Sequence, residues 1–314
     1  MDVGRLHTFA ISFSVSIGGA VCILDGFEIG WNKLKVFQTA QLSLRLQRPS
    51  KELKMQIKDK LRNSAYATLR ILTGPGNGIR AVLTYHSVGV DASYSVRNGL
   101  FEKQIEFLKS RFQIVLLKEL REAISSTDSN TGIACITFDD GYKDNYEKAL
   151  PILERYKVKA SFFIATGFLG SVLKTSSDER QMMNASQVRE LARLGHEIGA
   201  HTISHPKLTE ISLEAARKEI QESKKILQEL TGDKLSSFAY PKGCFSHDLK
   251  TIVAECGFSY AVITSDKLLS EPIDWLAIPR VGVFRSLDMA AFKARLSPAG
   301  ALYDTLRIRK LTNA

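Results

Sequence analysis

The chain has 314 residues, 44% of them hydrophobic and 24% charged. This ordinary globular usage provides for one large domain or two modest ones and excludes a disordered, collagen-like or multi-span membrane protein. The formal charge of +10 is uneven, because residues 1–80 hold 12 Lys and Arg against 5 Asp and Glu, leaving only +3 for the remaining 234 residues. The basic excess thus belongs to an N-terminal extension. With no recognition motif or aromatic-basic platform beside it, no nucleic-acid partner is expected.

Phe9 to Leu24 is an uncharged stretch of 16 residues, short of the roughly 20 that a spanning helix needs. It leaves three readings open: a signal anchor, an uncleaved hydrophobic hairpin, or a spurious upstream translation. From Lys51 to Leu72, the apolar residues Leu53, Ile57, Leu61, Ala65, Leu69 and Leu72 recur at helical spacing among Lys51, Lys54, Lys58, Lys60, Arg62 and Arg70. Such a basic amphipathic helix suits either peripheral contact with an anionic membrane or packing on the main domain. The breaker run Gly74-Pro75-Gly76-Asn77-Gly78 sets the boundary, giving an extension over 1–78 and a main domain over 79–314. Four cysteines, Cys22, Cys135, Cys244 and Cys256, make no disulfide framework and no CxxC pair. They favour a cytoplasmic protein or one associated with the cytoplasmic membrane, with export as the alternative suggested by the apolar N-terminus.

From Ile79 onward short apolar runs alternate with helical patterns. Strands are expected at Ala81–Tyr85, Ile114–Leu117, Ile133–Phe138, Ala160–Ile164, Glu197–Ala200, Ser236–Tyr240, Tyr260–Ile263 and Ile278–Phe284. Helices are expected at Phe101–Ser110, Leu117–Ser125, Asn145–Tyr156, Ser186–Leu194, Leu213–Thr231 and Ser246–Cys256. Runs such as IACITF lack polar alternation, as strands covered on both faces do. The alternation predicts a parallel α/β sheet with right-handed crossovers, open or closed into a barrel.

Three strand ends carry polar clusters: Asp139-Asp140-Gly141, His201-Thr202-Ile203-Ser204-His205, and Tyr240-Pro241-Lys242-Gly243. In parallel α/β folds these ends converge on one face. Two adjacent carboxylates repel unless a cation absorbs the charge. Two histidines and one Asp complete a divalent-metal site with positions left for water. An ion there acidifies water, and the second Asp can accept its proton.

TFDDG (Thr137–Gly141), HTISH (His201–His205) and FAYPKG (Phe238–Gly243), in this order, resemble the polysaccharide deacetylase family, the NodB-homology carbohydrate esterases. The resemblance runs from about Ala81 to Phe284 and includes the stretch NYEKALPILERYKVKASFFIATGFLG. It implies an irregular (β/α) barrel, here with an N-terminal helical extension, and metal-dependent hydrolysis of N-acetyl groups on an amino-sugar polymer, oligomer or lipid-linked precursor. The implied metal is Zn2+, with Co2+ or another divalent ion as alternatives. Carried over by residue, Asp139 is the general base, Asp140, His201 and His205 are the metal ligands, and the Lys242 N–H holds the oxyanion.

The chain departs from the family pattern twice. Ala239 stands where many members have an Arg that steadies the base, so Arg280 is the candidate for that role. No histidine follows His247, so the usual C-terminal acid is missing. His86, at the end of the first strand in a Tyr-His pair found in one branch of the family, is the candidate general acid. His196 is expected to be exposed or a cap, and His247 a surface residue. The departures leave two other readings, a carbohydrate-binding pseudoenzyme and a metal amidase for non-sugar amides.

Overall fold

The computed structural model describes residues 76–174 and 179–300, Phe13–Ile17, Ala20–Leu24, Leu302, and residues 57, 60, 61, 63–65, 68 and 70. Compact units divide between Leu53 and Lys54. In the first unit, Phe13–Ile17 pairs antiparallel with Ala20–Leu24, so the apolar stretch contains two short strands. The second unit begins well before the boundary read from the glycine cluster. Its described residues between 57 and 70 are all helical, and Asn63 donates to the Ser286 carbonyl at 2.8 Å. That bond ties the basic helix to the domain. The rest of its expected apolar stripe, Leu53, Leu69 and Leu72, lies outside the described residues.

The main sheet is built from β1 (Arg80–Tyr85), β2 (Phe112–Ile114), β3 (Gly132–Phe138), β4 (Ser161–Ile164), β5 (Glu197–Ala200), β6 (Ser237–Ala239), β7 (Tyr260–Val262) and β8 (Val281–Gly282). Its order is β7-β6-β5-β4-β3-β1-β8, with β2 added on β3, and every pairing is parallel. β2 pairs with the first residues of β3 and β4 with its last two. The last segment draws the two edges together, because Ile278 bridges Val262 while Val281 pairs Leu83. The result is an irregular (β/α) barrel. All seven residues of β3 are buried, which is why its sequence reads as an unbroken apolar run.

The helices are α1 (Asn98–Arg111), α2 (Leu120–Ser126), α3 (Leu150–Tyr156), α4 (Ala185–Arg193), α5 (Leu213–Thr231), α6 (His247–Glu255) and α7 (Met289–Arg295). Starts follow capping chemistry: Ser212 and Ser246 accept from Ala215 N–H and Leu249 N–H. Asn184 and Gln187 form a reciprocal capping box. α5 ends at Gly232 with φ 76°, in the left-handed region where glycine is least strained.

Four local expectations change. The stretch expected as a strand over Ile114–Leu117 stops at Ile114, because Leu117–Glu119 turns into a 3-10 helix closed by the Glu119 carboxylate on the Leu116 N–H. The expected strand Ile278–Phe284 is reduced to a bridge and a two-residue pairing. The helix expected over Asn145–Tyr156 opens with a π turn, Asn145–Ala149. His196 is buried at 3% exposure, its Nδ1 accepting from the Ala160 N–H and its Nε2 donating to Glu154.

Burial, reinforced by the charge of Lys159, pushes the His196 imidazole down to about 4. Its unfolded value is about 6.5, so between pH 6.5 and 4 the unfolded chain binds the extra proton and stability falls as pH falls. The shift corresponds to roughly 3 kcal/mol at most. Thermal midpoints measured across this window should drop more steeply for the wild type than for His196→Gln; equal slopes would contradict the assignment.

Candidate active site

The three polar clusters follow β3, β5 and β6 and meet at the C-terminal end of the sheet. Asp140, His201 and His205 each offer one ligand atom, all within 4.8 Å of one another. Asp140 Oδ1 is 3.3 Å from the Nε2 of both histidines. Ligands about 2.1 Å from a tetrahedral ion lie about 3.4 Å apart, so the spacing fits a divalent cation such as zinc. His201 Nδ1 donates to the Ala239 carbonyl at 2.7 Å. This fixes the tautomer and turns the Nε2 lone pair into the site, a role typical of groups behind metal ligands. Ala239, where the family pattern has Arg, therefore serves through its backbone.

Asp140, Thr202, His205 and Lys242 all have positive φ, at 73°, 64°, 57° and 58°. Non-glycine residues in this region are strained, and such strain concentrates at functional sites. The histidine loop is held in this form by Glu219 on α5. Its carboxylate accepts from the Ile203 N–H, the Ser204 N–H and the Ser204 hydroxyl, and Thr202 Oγ1 accepts from the His205 N–H. Glu219 escaped sequence reading because nothing local marks it; it lies 14 residues beyond His205 on an ordinary amphipathic helix.

Asp139 is buried, 3% exposed, and close enough to His201 for the two charges to interact. Arg280, fully buried, meets it with a two-pronged fork, Nη1 to Oδ1 at 2.7 Å and Nη2 to Oδ2 at 2.6 Å. The other guanidinium donors reach Thr137 Oγ1 and the Ile263 carbonyl. Burial opposes ionisation of Asp139, but the Arg280 charge and hydrogen bonds outweigh it and hold the carboxyl below the usual carboxylate range. Asp140 shows the same balance: burial opposes its charge, and the neighbouring His201 and His205 bring it well below that range. Burial also opposes charge on His201, which the carboxylates nevertheless hold above the ordinary histidine value.

His86 follows β1 directly, near enough that a proton on its ring would favour the charged forms of Asp139 and Asp140. Lys242 sits in the 3-10 turn Pro241–Gly243 after β6. Of the two histidines set aside from the sequence, His247 is exposed at the start of α6 as expected. Tyr142, three residues past Asp139, was not singled out. It is 2% exposed, and burial together with the Asp140 charge drives its phenol upward. Arg180 donates to its hydroxyl and lies 3.5 Å over the Tyr94 ring. This pins the hairpin of Val172–Lys174 and Glu179–Gln181 beside the metal ligands. Only the Tyr after DDG could have signalled it.

A parallel α/β barrel with these loops defines the class as a NodB-type domain with a candidate divalent-metal site. Residues 127–261 match the model of the polysaccharide deacetylase family. The chain is 27% identical over 215 residues to YxkH of Bacillus subtilis, covering 68% of this chain and 74% of that protein. It is 28% identical over 199 residues to the poly-beta-1,6-N-acetyl-D-glucosamine N-deacetylase of Staphylococcus aureus, covering 60% of this chain and 68% of that one. Two solved structures share the fold, each with a TM-score of 0.60 over 73% of this chain and 98% of theirs. They are the deacetylase PplD of Streptococcus pyogenes, at 23% identity, and IcaB of Ammonifex degensii, at 22%.

Proposed function

We propose that the chain is a metal-dependent N-deacetylase of amino-sugar glycans, with an N-acetylglucosamine polymer, oligomer or lipid-linked precursor as substrate. The observation that carries this reading is the pairing of a buried, arginine-held carboxylate with an adjacent Asp-His-His cation site at one end of the barrel. The resemblance to the staphylococcal poly-N-acetylglucosamine deacetylase supports the substrate class. Asp140, His201 and His205 hold the ion, for which Zn2+ is the proposed identity. When bound, the ion supplies Lewis acidity that makes water a nucleophile at neutral pH and polarises the amide.

Asp139, kept ionised and oriented by Arg280, takes the proton of the attacking water. The water oxygen bonds to the carbonyl carbon of the N-acetyl group, and the Lys242 N–H stabilises the resulting oxyanion, a contribution typically worth about 10²–10³ in rate. His86 gives a proton to the departing nitrogen as the C–N bond breaks, leaving acetate and a free amino sugar. We further propose that the basic helix between residues 51 and 72 makes the peripheral membrane contact, on the cytoplasmic side. Leu61, 42% exposed, is available for it. No described helix is long and apolar enough to cross a membrane.

The test is acetate release from N-acetylglucosamine oligomers by chelator-stripped protein, with and without added zinc or cobalt. Metal-dependent acetate is expected, and His86→Ala should lower kcat about 10²–10⁴-fold with metal content unchanged. Stoichiometric metal binding without acetate release would shift the reading to a non-sugar amide. Neither metal nor acetate would leave a glycan-binding protein.

A further inference from the structure

The segment carrying His86 is gripped from one side by three side chains on the turn that follows the two catalytic-loop aspartates. Asn145 Nδ2 donates to the His86 carbonyl at 2.7 Å. Asp144 accepts from the Ser87 hydroxyl at 2.6 Å and from the Val88 N–H at 3.0 Å. Lys148 Nζ donates to the Gly89 carbonyl at 3.0 Å. Four consecutive residues, His86 to Gly89, are thus each held by one of three residues at spacing i, i+1 and i+4. Asn145 also donates to Asp144 Oδ1 at 3.0 Å, which keeps the two clamping groups in register.

The held backbone lies just beyond the last residue of β1, where the main sheet no longer fixes it and only a two-residue pairing, Ser87–Val88 with Ser95–Val96, continues. Asn145 is fully buried and Ser87 nearly so. Satisfying the backbone here by side chains is therefore a built feature, since buried polar groups left unpaired are costly. Asp144 and Asn145 stand at the head of the π turn Asn145–Ala149. π turns within helices are rare and recur at functional sites. Asp139, Asp140, Asp144 and Asn145 share one seven-residue stretch, so the loop that carries the base and a metal ligand also grips the segment carrying the acid.

We propose that Asp144, Asn145 and Lys148 are positioning residues that act through His86, fixing its backbone so that the imidazole is aimed at the leaving nitrogen. The inference rests on the assignment of His86 as general acid. A catalytic group displaced by a fraction of an ångström loses much of its effect, so support of this kind commonly matters by 10–100-fold.

A double-mutant cycle on the full, zinc-loaded chain tests it, with acetate release as one readout and bound metal per chain as the other. Asn145→Ala is expected to lower kcat by about 10–100-fold, with KM within about twofold and metal content unchanged. In a His86→Ala background the same substitution should change kcat by less than about twofold, because the group it positions is already gone. Should Asn145→Ala fail to fold, Lys148→Met and Ser87→Ala each remove one outer strap, and their smaller effects should vanish in the same way. Equal slowing in both backgrounds, or loss of metal from the single variants, would overturn the positioning role. If His86→Ala leaves the rate unchanged while metal-dependent deacetylation persists, the acid assignment falls and this inference with it, but the deacetylase reading stands.

Discussion

Arg280→Met is expected to destabilise the domain by about 3–5 kcal/mol and to abolish most turnover. Asp139 and Arg280 are both essentially sealed from solvent, with side-chain exposures of 4% and 0%. The pair has lost its hydration and is sustained by the two-pronged contact. Methionine fills similar volume but leaves the carboxylate charged without a partner, or neutral and unable to accept a proton. Urea denaturation at neutral pH reads the stability loss. The double variant Asp139→Leu with Arg280→Met separates the two roles of the pair. It should regain most of the stability, since apolar replacement of a whole buried pair is often neutral or better, while remaining inactive. If Arg280→Met keeps wild-type stability, the contact is not a buried ion pair in solution. If it keeps wild-type turnover, Arg280 is not what steadies the base.

Asp140→Ala should abolish stoichiometric metal binding and acetate release together. Asp140 is the single carboxylate between two imidazoles, and removing it leaves two neutral ligands and no anionic charge to offset the cation. The expected loss in affinity exceeds the 10–100-fold typical of groups behind the ligand set. Chelator competition measures it directly, without reliance on activity. The domain should still fold, because Asp140 follows β3 rather than lying in the core and keeps 15% side-chain exposure. Its left-handed backbone, φ 73°, is costly for alanine, so Asp140→Asn serves as the less strained control. Retention of both metal and turnover in either variant would contradict the ligand assignment.

The elements that the sequence predicts best are those whose stability is local or whose burial is complete. α5 matches its expected span, Leu213–Thr231, because Ser212 and Gly232 cap a long amphipathic run. β5 matches Glu197–Ala200, and β3 begins one residue early. Short elements defined by their neighbours were harder to see. α7 spans seven residues, and two small pairings, Ser87–Val88 with Ser95–Val96 and Val172–Lys174 with Glu179–Gln181, have no periodicity of their own. His196 was misjudged because a polar residue after a helix-ending glycine usually faces solvent. Here the Ala160 N–H and Glu154 give it two partners inside.

The sequence by itself determined the strand–helix alternation, the three polar clusters and the identity of the candidate metal ligands. Each of these is written in a short stretch whose chemistry is legible without its neighbours. It also named Arg280 as the candidate to steady the base, in place of the Arg that the family pattern has at Ala239, but without a local signal that brings the two residues together. The tertiary structure decided that Arg280 meets Asp139 across 141 residues of chain, that Glu219 shapes the histidine loop, and that Asp144, Asn145 and Lys148 hold the segment of His86. These are desolvated ion pairs and side chain–backbone hydrogen bonds between elements distant in sequence. Their strength depends on burial and on distances of a few ångströms, which only the closed barrel sets.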